Sequence, residues 1–161
     1  MKQHSFIRKA ICATTALLII LTAFTTVRME SQARALARTH QATAQDILDE
    51  LNDIREDYGC ADLAMSDELT RCAAIRSTEI STYFSHTRPD GSQWYTINAS
   101  LQYGENLLKT QINHEADDIV QMWMDSPSHK DLIVDGYYRT VGIARYHYGE
   151  TDYWVLEFGY R

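Results

Sequence analysis

Four short segments put titratable side chains where chemistry could use them. Phe84-Ser85-His86-Thr87-Arg88-Pro89-Asp90-Gly91 sets an imidazole between a helix and a tight turn. Tyr103-Gly104-Glu105-Asn106-Leu107 holds a carboxylate among apolar neighbours, where burial is expected. Trp123-Met124-Asp125-Ser126-Pro127-Ser128-His129 brings a second imidazole just after a proline. Trp154-Val155-Leu156-Glu157-Phe158-Gly159 carries an acid inside a segment that otherwise reads as core strand. A buried carboxylate must be paired, protonated or metal-bound, because an isolated charge is too costly to bury. His86 and His129 are the natural partners for Glu105 and Glu157, and two imidazoles with a carboxylate also suit zinc or a similar divalent ion. The same residues would equally serve as a hydrogen-bonded network tying helices to a sheet.

Other chemistries lack support. The sequence has no Gly-x-Ser-x-Gly, His-Glu-x-x-His, phosphate-binding loop or Cys-x-x-Cys. Nothing near Ser126 or Ser128 marks a nucleophile, and His4, His40, His114 and His147 read as surface or tail residues. The net charge is −7, with five of the 15 Lys and Arg but one of the 22 Asp and Glu lying before residue 36. The acidic body that follows would repel a phosphate backbone, which argues against nucleic-acid binding.

The elements that must position these residues follow from spacing. Ile47, Leu51, Ile54 and Tyr58 make one face of a helix over Asp46–Tyr58, closed by Gly59. Ser66 caps a second helix, with Asp67 and Glu68 in its first turn and Leu69, Cys72, Ala73, Arg76, Ile80 and Tyr83 along its inner stripe. Arg88-Pro89-Asp90-Gly91 is a turn, and Ser92 is expected to cap a short helix. Asn113 is expected to cap a long third helix facing inward with Ile119, Val120 and Trp123 and ended by Pro127; Ser128 starts another helical turn. Tyr137–Tyr148 and Tyr153–Tyr160 read as two strands around Gly149-Glu150-Thr151-Asp152. Apolar residues on both strand faces imply helices on both sides of the sheet, hence an α+β layered domain.

Residues 1–35 stand apart. Lys2, Arg8 and Lys9 precede an uncharged apolar run over residues 10–27, a pattern for export. It leaves two outcomes: a cleaved signal peptide, or an anchor that holds residues 36–161 on the outer face of the cytoplasmic membrane. In an oxidising compartment Cys60 and Cys72 could form a disulfide; the alternative is two buried free thiols.

Taken in order, Phe84-Ser85-His86 with Pro89-Asp90-Gly91, Gly104-Glu105-Asn106-Leu107, Trp123 to His129, Val141-Gly142 and Trp154 to Gly159 resemble a bacterial CAP (SCP-like) domain over about residues 44–160. The family is that of cysteine-rich secretory proteins, antigen 5 and pathogenesis-related proteins. The resemblance implies a three-layer α-β-α sandwich, a central mostly antiparallel sheet, and a cleft lined by two His and two acids. It assigns His86, Glu105 and His129 to that cleft. The other acid of eukaryotic members falls at Ser126 here, so Glu157 is the candidate substitute. Family members are mostly secreted or surface-exposed; some bind lipids and some a divalent metal. The expectation is an extracytoplasmic, non-enzymatic domain that binds a metal, a small apolar ligand or a cell-envelope component through the cleft. The alternatives are a hydrolase using Glu105 as base, with His86 and His129 holding water or metal, and a purely structural domain.

Overall fold

The computed structural model describes residues 42–161. The apolar run at residues 10–27, expected to direct export, lies outside them, and among the described residues no helix is long and apolar enough to cross a membrane.

Helix α1 spans Ala44–Asp57. Thr43 caps it through a reciprocal box: the Thr43 hydroxyl accepts from the Asp46 N–H, and the Asp46 carboxylate accepts from the Thr43 N–H at 2.8 Å. Gly59, at φ 69, takes the left-handed conformation that ends the helix. A two-residue strand β1 (Ala64–Met65) leads into α2 (Asp67–Thr82), which Ser66 caps as its sequence position implies. A 3-10 turn at Trp94–Ile97 follows, then β2 (Gly104–Gln111), α3 (Ala116–Met124), α4 (Pro127–Ile133), β3 (Thr140–Tyr148) and β4 (Thr151–Gly159). The sheet order is β1-β3-β4-β2. β1 runs parallel to β3, and the other two pairings are antiparallel.

Register assigns each strand residue to a layer. Gly142, Ala144, Tyr153, Val155, Glu157, Glu105 and Leu107 share one face, and α2 covers it with Ala73 and Ile80. Val141, Ile143, Trp154, Leu156 and Phe158 point the other way. They pack on Ile47 and Leu51 of α1, Ile119, Val120 and Trp123 of α3, and Ile133 of α4. This is an α+β fold in three layers, as both apolar strand faces required. Arg55 is fully buried beneath the second layer. Its guanidinium donates to the carbonyls of Ala61, Ile133, Asp135 and Tyr138, so the charge is spread over backbone dipoles and α1 is tied to the loop after α4.

Four sequence expectations are corrected. Asn113 does not cap the third helix: it sits at φ 71 in the preceding loop, and Glu115 occupies the cap position without a side-chain bond. Ser92 does not cap the 3-10 turn, because its hydroxyl donates to Asp90 Oδ1 at 2.6 Å. Pro127 does not only end a helix; it opens α4 at a position whose N–H needs no partner. Cys60 and Cys72 are free thiols rather than a disulfide. Cys72 lies under α2, on the Glu157 side, where burial and then Glu157 raise its pKa. Cys60 follows α1 and donates to the Val134 carbonyl at 3.1 Å, beyond the end of α4. The Cys60 thiol is thus held by the loop after α4, while Cys72 belongs to α2.

Candidate functional site

The site is built around Glu105, the second residue of β2. Its side chain is 1% exposed and lies between α2 and the loop that follows α2. Arg76 projects from the middle of α2, fully buried, and reaches Glu105 with two nitrogens: Nε to Oε2 at 2.7 Å and Nη2 to Oε1 at 3.3 Å. This bidentate fork suits a carboxylate in a dry setting. The rest of the guanidinium is used as well. Nη1 donates to Glu79 Oε2 at 2.7 Å and Nη2 to the Ser85 carbonyl at 2.6 Å. Burial opposes the charge on Arg76, but its bonds to Glu105 and Glu79 more than offset that and raise its pKa. Glu79 also binds Arg88, at 2.6 Å from Nη2. Burial pushes the Glu79 carboxyl up, Arg88 and Arg76 pull it down, and the net effect is a lowered pKa.

The same carboxylate orients His86. Oε1 of Glu105 is 2.8 Å from His86 Nδ1. A carboxylate paired with arginine only accepts, so Nδ1 carries the hydrogen and Nε2 is the nitrogen left for other work. The imidazole is 55% exposed. Its loop is held in place: Arg88 donates its N–H to the Ser92 carbonyl, Gly91 turns at φ 85, and Thr87 bridges to Gln93.

Glu157 sits directly across the β2–β4 ladder from Glu105 and on the same face. It is fully buried, and neither of its oxygens has a hydrogen-bond partner among the described residues. Burial first, and then the neighbouring charge of Glu105, raise its pKa far above the usual carboxylate value. Gln102 lies close enough to oppose that shift, but its amide is turned to the Asn98 N–H and the Trp94 carbonyl. Burial thus favours the protonated, neutral form of Glu157.

His129 approaches from α4 on the far side of β2. Asn106, the next residue after Glu105, donates its side-chain amide to the His129 carbonyl at 3.0 Å and fixes that turn of helix. Burial lowers the His129 pKa, and His86 lowers it further. The Ser126 and Ser128 hydroxyls lie 3.4 Å apart, and among the described residues neither hydrogen-bonds an imidazole.

Sequence reasoning did not single out Arg76, Glu79, Arg88 or Gln102. The signal for Arg76 was present: it stands on the apolar stripe of α2, between Cys72 and Ile80, where an unpaired charge could not be buried. His147, read as a surface residue, pairs through Nδ1 with the buried Asp152 at 2.9 Å. Among the described residues no three His, Cys, Asp or Glu side chains converge tightly enough to enclose a metal ion.

The model of the cysteine-rich secretory protein (CAP) family matches residues 48–158, a span that contains every site residue just described. The chain belongs to this family. Solved CAP structures share its fold. An outer surface protein from Borrelia burgdorferi matches with a TM-score of 0.60 and 20% identity, over 76% of this chain and 98% of that one. An extracellular SCP-domain protein from Bacillus anthracis str. Ames matches with a TM-score of 0.59 and 19% identity, over 73% of this chain and 40% of that one. NaASP2, solved with Zn2+, matches with a TM-score of 0.55 and 13% identity, over 72% of this chain and 78% of that one. At these identities the likeness is one of fold. No match was found among curated protein sequences. Within the CAP family frame, Glu105 is the acid of the Gly-Glu-Asn segment, and Arg76 and His86 hold it from two elements.

Proposed function

We propose that this CAP domain works outside the cytosol and binds a divalent cation, zinc by the chemistry of its donors, through His86 and His129. The observation that carries the reading is the 2.8 Å bond between His86 Nδ1 and Glu105. A metal-binding imidazole commonly gives its other N–H to a carboxylate, which fixes the tautomer and strengthens the ligand nitrogen. Arg76 holds that carboxylate, and Nε2 belongs to a half-exposed ring. His129 has a lowered pKa, so it is neutral and able to ligate at neutral pH. The donor set fits an open site with two protein nitrogens, in which water or an external ligand completes the coordination. A bound cation would supply a positive centre for an oxygen-bearing ligand such as a cell-envelope component. An NaASP2 structure containing Zn2+ supports the reading by analogy of fold. The extracytoplasmic location is supported by the basic and apolar pattern of residues 2–27 and by fold neighbours that are an outer surface protein and an extracellular protein.

A hydrolase with Glu105 as general base has less support, because both of its oxygens are already committed to Arg76 and His86. Calorimetric titration of the full chain with zinc tests the proposal. Saturable binding that is lost in both His86→Ala and His129→Ala supports it; no saturable heat, or identical titrations in all three proteins, rejects it.

A further inference from the structure

A cavity of about 420 Å³ opens beside the start of α1, on the sheet face opposite Glu105. Thr43 and the small apolar residues Ala42 and Ala44 line one side of it, and Ile143, Arg145 and Trp154 line the other. Arg145 and Trp154 are register partners across β3 and β4, with the guanidinium 5.4 Å from the indole ring centre. Both carry an unmet donor. Trp154 is 1% exposed, and its indole N–H has no hydrogen-bond partner among the described residues. By contrast, the buried Trp123 gives its indole N–H to the Leu107 carbonyl. Arg145 Nη1 is buried too and makes no hydrogen bond among the described residues; Asp152 Oδ2 stands 3.6 Å away, too far for one. The other oxygen of Asp152 is bound by His147. A native fold rarely leaves two buried donors idle side by side.

From this pairing we infer a binding site for a small organic carboxylate with a short apolar tail. The two unmet groups are both donors, one of them cationic, and a carboxylate only accepts, so they match. Water matches less well. A water could accept from both donors but would bring no negative charge to the guanidinium. The guanidinium adds charge and a fork geometry that a neutral carbonyl cannot exploit. The tail would lie on the alanine and isoleucine side. The start of α1 does not carry this site; its capping box only pairs the Thr43 and Asp46 N–H groups with each other's side chains. The volume lies in the range of small-molecule sites. The site is also independent of His86, which belongs to the other layer.

The test is an NMR titration of the 15N-labelled full chain, in detergent micelles, with butyrate as the probe. The three indole signals come from Trp94, Trp123 and Trp154, and Trp154→Phe assigns the third by its loss. A saturable downfield displacement of the Trp154 signal alone is expected at millimolar butyrate, with no such response to butyramide. Arg145→Met is expected to weaken the response at least about 10-fold. The absence of saturation, an equal response to butyramide, or undiminished binding by Arg145→Met overturns the inference and leaves a water-filled cavity. Should Arg145→Met not fold, the comparison of butyrate with butyramide decides alone.

Discussion

Glu105 and Glu157 face each other across adjacent strands, yet only Glu105 has a cation, with Arg76 Nε at 2.7 Å. Two acids so placed in a dry layer cannot both be ionised without a second cation. Burial and the charge of Glu105 both raise the Glu157 pKa, which favours its protonated form. One side chain thus serves as the charged anchor for His86, and the other fills the layer as a neutral acid.

A pH dependence of stability follows. The folded protein keeps a proton on Glu157 that the unfolded chain releases near the ordinary glutamate pKa. The native state then binds more protons, so stability falls as pH rises from about 5 toward the raised folded value. Glu157→Gln removes that loss. In urea unfolding from about pH 5 to about pH 9, the variant is expected to gain on the wild type as pH rises. A constant difference would contradict the assignment.

The Arg76–Glu105 pair should show strong coupling. Arg76→Met leaves a buried carboxylate without its cation, with an expected cost of about 3–5 kcal/mol. Glu105→Gln added to it should recover a large part of that, because the burial penalty disappears. A double-mutant cycle read by chemical denaturation measures the coupling. Additive effects would show that the pair does not act as a unit.

His129 gives the opposite pH slope to Glu157. Its folded pKa is lowered by burial and by His86, so below the ordinary histidine value the unfolded chain binds the extra proton. Stability therefore falls as pH drops through about 6.5, down to the lowered folded value. His129→Asn should flatten that part of the curve. Thermal melting between about pH 7 and about pH 5 tests the difference, and parallel curves would refute it.

Gly142 controls how closely α2 sits on the sheet. A Cβ there would stand 2.0 Å from the Leu69 carbonyl carbon and 2.3 Å from the Thr70 nitrogen, both backbone atoms that cannot step aside. Gly142→Ala is expected to cost about 3 kcal/mol or more, at the upper end of overpacking effects. Because α2 also carries Arg76, the variant should lose zinc binding along with stability. Melting temperature and calorimetry read the two losses together.

The sequence shows some of this clearly and some not at all, for physical reasons. α1 and α2 could be read from their helical spacing, and the β3–β4 pair from its aromatic and β-branched runs around a short turn. The hairpin loop is shorter than its composition suggests, since Thr151 and Asp152 already pair in β4. β2 gave no strand signal. Its buried positions include Glu105, Asn106 and Thr110, so a strand that serves the site does not look apolar. Arg76 was visible as an element residue but not as a site residue, because its partner lies 29 positions away. The two cysteines are close in the chain, but Cys60 bonds the loop after α4 and Cys72 is buried on α2, a difference that spacing alone does not supply.

The most direct measurement is of the His86 ring itself. Long-range 1H–15N correlation spectra, assigned by His86→Ala, report which nitrogen holds the proton and which one a metal displaces. The account expects the hydrogen on Nδ1, facing Glu105, and on adding zinc a large change at Nε2 of His86 together with a change in the His129 ring. A proton on Nε2 of neutral His86, or rings that ignore zinc, would contradict it.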